Sequence, residues 1–99
     1  MEYSEVFDKL WHIFLDWLLG EDTPEVRELL LNTKSKSALK ITRSKLRRVL
    51  GIDIPTIYVE ALINHVVDKV RNKLGINLHV EKISRKTENV YIVKKLDTE

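Results

Sequence analysis

The stretch from Ile41 to Ile76, ITRSKLRRVLGIDIPTIYVEALINHVVDKVRNKLGI, decides how this chain is read. Thr42 is placed to cap a helix whose inward positions are Leu46, Val49 and Leu50, and Gly51 ends it. Arg43, Lys45, Arg47 and Arg48 are left largely outside. GIDI is a turn, and Pro55 opens a second helix that runs to Leu74 and closes at Gly75. Val59, Leu62, Ile63, Val66, Val70 and Leu74 recur at three- and four-residue spacing and form its seam. The pattern is two helices joined by a tight turn, the first of them studded with cations.

Upstream, Ala38 to Ile41 (ALKI) is a short strand-like run, and TKSKS before it is a polar, basic loop. A short helix begins at DTPE, with Thr23 as cap, Pro24 at its first position and Val26, Leu29 and Leu30 facing inward; Asn32 is its expected stop. Ser4 to Leu19 is a further helix, stopped by Gly20. Its stripe of Val6, Leu10, Ile13, Phe14 and Trp17 is widened by Phe7, Trp11, Leu15 and Leu18 to an arc of about 200°, wider than one core-facing stripe needs. Either the helix is buried on two sides, or its outer edge of Phe7, Trp11 and Leu15 meets a second chain, a homodimer partner or another protein. Downstream, Leu78 to Arg85 and Val90 to Leu96 are strands of a hairpin with KTEN at its turn.

Ninety-nine residues, 43% apolar and 32% charged, make one domain with one modest core. No apolar run approaches the roughly 18 residues of a spanning helix. The segment MEYSEVFDKL is acidic and lacks a basic n-region, so no secretory signal and a cytoplasmic location are expected. With no cysteine there is neither a disulfide framework nor a thiolate metal site. The net charge of +2 conceals a marked asymmetry. Met1 to Asn32 carries eight acids against two bases, a balance of −6, while Thr33 to Arg48 carries seven bases and no acid. A cationic block adjoining two turn-linked helices suits phosphate contact, although a charge run also serves simply as a solvated face.

From residue 24 onward the order is helix, short strand, helix, turn, helix, strand, turn, strand. This order, with its two Leu-Gly-Ile steps at Leu50–Ile52 and Leu74–Ile76, resembles a winged helix-turn-helix DNA-binding domain, of the small archaeal or archaeal-virus type. The resemblance implies an α+β fold, mainly α with a small β-hairpin. Residues 1–22 would be an added N-terminal helix and 23–99 the winged domain. It also implies that the helix from Pro55 enters the major groove, with Thr56, Tyr58, Glu60, Asn64 and Ile57 as its early outward residues. Asn64 would contact an adenine edge, and Thr56 a phosphate or thymine methyl. Arg43, Lys45, Arg47 and Arg48, joined by Lys34, Lys36 and Lys40, would contact phosphates, and Arg85 and Lys86 at the wing tip the neighbouring groove. The sequence departs from a simple DNA reader at Glu60 and Asp68, because the helix from Pro55 has two acids and no cation before Lys69.

No catalytic constellation accompanies this pattern. His12, His65 and His79 come from three separate elements, and Glu81 and Lys82 point to opposite faces of a strand. There is no Gly-rich phosphate loop and no nucleophile elbow. No enzymatic activity, metal or cofactor is expected. The expected function is double-stranded DNA binding, as a small transcriptional regulator or a replication-associated protein. The alternative is a winged helix that holds protein, as an accessory subunit of a polymerase or another nucleic-acid machine.

Overall fold

The computed structural model describes residues 3–32 and 35–96, with backbone only at 32 and 35–37. Its elements are α1 (Tyr3–Leu19), α2 (Pro24–Leu29), β1 (Leu30–Asn32), β2 (Ser35–Ile41), α3 (Arg43–Leu50), α4 (Thr56–Leu74), β3 (Leu78–Ser84) and β4 (Asn89–Lys95). The strands form one antiparallel sheet in the order β1-β2-β4-β3. The fold is thus α+β, four helices with a small antiparallel sheet.

Local chemistry sets most boundaries. Thr23 accepts a hydrogen bond from the Val26 amide at 3.1 Å, and Thr42 one from the Lys45 amide at 3.1 Å, so both serve as N-caps. Gly51 and Gly75 end α3 and α4 at φ of 70° and 68°, a left-handed conformation that costs a side-chain-bearing residue energy. Their amides bond back to Arg47 and Arg71 carbonyls at 2.8 and 3.0 Å.

Two expectations are corrected. The short second helix stops at Leu29, and Leu30 turns to extended backbone and opens β1. Ser35 to Ser37 of the polar run read as a loop instead open β2, and Thr33 and Lys34 lie outside the described residues. β2 pairs with β1, Asn32 standing opposite Ser35, so its ladder bonds come from a neighbour that no apolar pattern announced. The hairpin of β3 and β4 is likewise not free-standing, because β2 pairs with β4 from Ala38–Lys94 to Ile41–Tyr91.

The helices cover one face of the sheet. Val6, Phe7, Leu10, Ile13, Phe14 and Trp17 of α1, the seam of α4, and Leu39, Ile41, Tyr91 and Val93 of the sheet form one core. Trp17 is fully buried and meets Phe14 edge-on, with ring centroids 5.8 Å apart. The Lys95 ammonium lies 5.1 Å from its ring centroid. In α4, Leu74, expected in the seam, is exposed, since the seam runs on past the core at the last turn, and Val67, not counted in that seam, is buried. On the other face Ala38, Val90 and Ile92 make a small cluster of their own, so β4 is buried from Val90 to Val93 on both sides.

Replacing the fully buried Trp17 with Ala is expected to lower unfolding stability by about 3–5 kcal/mol. Leu19→Ala, at a residue 73% exposed, should change it by less than about 0.5 kcal/mol. Urea denaturation followed by circular dichroism measures both, and equal losses would contradict this placement of the core.

Candidate nucleic-acid interface

Three segments converge at the start of α3. Arg43, in its first turn, holds Asp53 of the α3–α4 turn through two bonds, Nε to Oδ1 at 3.1 Å and Nη2 to Oδ2 at 3.2 Å. Its Nη1 also donates to the Thr56 hydroxyl at 3.4 Å. The fork geometry of a guanidinium suits this planar two-point contact and fixes the α3–α4 turn against α3. From the β3–β4 turn, Glu88 reaches the N-terminus of α3. It accepts from the Ser44 hydroxyl at 2.9 Å and the Ser44 amide at 3.4 Å. A carboxylate is favoured there by the unpaired amides and the positive end of the helix. Arg43, Ser44, Arg47, Thr56, Thr87 and Glu88 line the resulting cavity of about 230 Å³.

The cations of α3 divide between two sides. Arg43 and Arg47 face this cavity. Arg48 bonds to Glu28 of α2 at 2.8 Å and is held away from it. Lys45 stands near Lys40, Glu28 and Arg48. Burial of its side chain, then repulsion from Lys40 and Arg48 partly offset by Glu28, holds its ammonium below the usual lysine range. Arg47, Arg85 and Lys86 are exposed and form no ion pair among the described residues. Lys34 lies outside the described residues, as does the side chain of Lys36.

On α4, Ile57 and Asn64 are exposed as expected, but Glu60 pairs with Lys82 of β3 at 3.7 Å. Tyr58 turns toward α1, where it lines a separate cavity of about 340 Å³ with Tyr3, Val6, Ile54, Pro55 and Leu62. Burial raises the pKa of the Tyr3 hydroxyl. The outer edge assigned to α1 is covered in part by the chain itself. Phe7 is buried at 8% exposure, with the His65 ring 4.3 Å from its own. The Lys69 ammonium lies 4.5 Å from the Trp11 ring centroid, and Trp11 and Leu15 are half-buried. α4 packs beside α1 and covers part of its apolar arc, Phe7 above all.

Sequence reasoning did not find Asp53, Ser44, Thr87 or Glu88. Asp53 lies ten residues from Arg43, and Glu88 forty-four from Ser44, so no helical or strand spacing links them. Among the described residues no group of three or more His, Cys, Asp or Glu is placed to hold a metal ion, and no helix is long and apolar enough to cross a membrane. Comparison with protein-family models, with curated proteins and with solved structures gave no match.

The Glu88–Ser44 contact is testable alone. Glu88→Ala and Ser44→Ala are each expected to cost about 0.5–2 kcal/mol, with a double variant less destabilised than their sum by more than about 0.5 kcal/mol. Strict additivity in a denaturation cycle would show that the contact contributes nothing.

Proposed function

We propose that this chain is a winged helix-turn-helix protein that binds double-stranded DNA, as a small transcriptional regulator or replication-associated factor. The observation that carries the reading is the meeting of α3, the start of α4 and the β3–β4 turn around one polar cavity. The order of elements supports it: β2 runs into α3, a Gly51 turn leads to α4, and β3 and β4 return beside β2. On this reading α1 and β1 are additions to the winged domain.

The residues then take distinct roles. Arg47, Arg85 and Lys86 form no ion pair among the described residues, and each would take a phosphate. The hydroxyls of Thr56 and Thr87 would donate to the backbone between them. Arg43 chiefly holds the α3–α4 turn in place. Asn64 and Ile57 lie outward on α4, where a carboxamide suits adenine and an aliphatic group suits the thymine methyl. Glu60, neutralised by Lys82, faces the duplex less strongly than its sequence position implies.

One observation favours the second reading, a protein-holding accessory module. Tyr3, Ile57 and Tyr58 are large apolar residues left 42%, 75% and 50% exposed around the start of α4. A salt titration of binding to duplex DNA separates the two, because phosphate contacts make log K fall with log salt concentration. Arg47→Ala should flatten that slope by about one unit at every sequence tested. Arg48→Ala, whose side chain is already paired with Glu28, should flatten it less. Binding that does not vary with salt would turn the assignment to protein. Asp53→Asn should raise duplex affinity, since it frees Arg43 and removes a carboxylate beside the cavity; an unchanged or lower affinity would show that Arg43 acts only through its hold on the turn.

A further inference from the structure

A second, larger groove lies between α1, the start of α2 and the end of α3, with a volume of about 600 Å³. Its floor is apolar, made by Ile13, Val49 and Leu50. Around that floor stand four carboxylates, Glu5, Asp8, Asp16 and Glu25, against the ammonium of Lys9 and the imidazole of His12. Elsewhere Asp22, Asp53, Asp68, Glu28, Glu60 and Glu81 have cationic partners within 4.0 Å, Glu88 is held by Ser44, and Glu21 forms no ion pair among the described residues. None of the four carboxylates on this groove forms an ion pair among the described residues. Glu5 and Asp8 are three apart on one helix, a spacing at which like charges repel, and Lys9 forms no ion pair with either among the described residues.

We infer that this groove docks a lysine- and arginine-rich amphipathic segment of a partner protein, whose apolar side chains meet Ile13, Val49 and Leu50 while its cations meet the carboxylates on the rim. Charge complementarity selects this occupant. A nucleic acid or other polyanion is repelled by the rim. A single metal ion does not fit, because among the described residues no three such ligands come together. A purely apolar ligand would leave the carboxylates without counter-charges, whereas a basic segment satisfies floor and rim together. The groove takes Val49 and Leu50 from α3, while Arg43 and Arg47 of that helix line the polar cavity. The two sites share no residue, and this docking does not depend on DNA binding.

The test titrates the isotope-labelled full chain with a synthetic lysine–leucine amphipathic peptide, followed by amide chemical shifts. Shifts are expected along Glu5 to Asp16 and at Glu25, Val49 and Leu50, with an affinity that falls as salt rises. A glutamate–leucine peptide of the same pattern should not bind. Asp8→Asn with Glu25→Gln should weaken the basic peptide by about five- to tenfold. Val49→Ala should weaken it at every salt concentration with the salt dependence kept, which a diffuse attraction of charges would not show. Absence of binding, shifts confined to other surfaces, or equal affinity for the double variant would overturn the proposal. So would self-association of the free chain in sedimentation that the double variant abolishes, since the occupant would then be a second copy.

Discussion

Everything else in the molecule is positioned by the burial of α4. Its seam of Val59, Leu62, Ile63, Val66, Val67 and Val70 is sealed between α1 and the inner face of the sheet. Such a helix is stable because it removes one apolar stripe from water, not because its residues favour helix in isolation. Val and Ile are middling helix formers, so tertiary burial must hold them there. Once α4 is fixed, α1 has a partner along its wide arc, the α3–α4 turn has one end pinned, and β3 must start where Gly75 releases the chain.

Polar contacts then refine what burial sets roughly. Arg43 with Asp53 is an exposed ion pair and Glu88 with Ser44 a half-buried helix-end hydrogen bond, and each is small beside the burial of the core. Their consequence is positional: one ties the α3–α4 turn to α3, the other ties the β3–β4 turn to the same helix end. The groove proposed to take DNA is therefore preorganised by contacts whose energies are small, and its cations are sorted into those that hold the structure and those free to act outward.

The charge asymmetry of the sequence becomes a spatial one. The cation-bearing cavity takes one side of α3, and the carboxylate-rimmed groove takes Val49 and Leu50 of the same helix. Separating opposite charges in this way costs the protein favourable internal pairing. On the two proposals, the cavity would take a polyanion and the groove a basic segment, so partners of opposite charge would meet different sides of α3.

The sequence by itself determined the four helices and most of their ends, though not the stop of α2 at Leu29. Thr23, Thr42, Gly51 and Gly75 act within one turn of their own residues, and the seam of α4 follows from a 3.6-residue period, so both are local information. It also determined that β3 and β4 form a hairpin, through their β-branched residues and the turn between them. Only the tertiary structure decided that Ser35 to Ser37 join a strand, because a polar segment becomes one when a neighbour supplies its ladder bonds. It alone decided which of the described cations of α3 are spoken for. Arg48 finds Glu28 across twenty residues and Arg43 finds Asp53 across a turn, while Arg47 meets neither. Side-chain pairing between distant segments depends on where the core places their backbones, and no spacing along the chain encodes it.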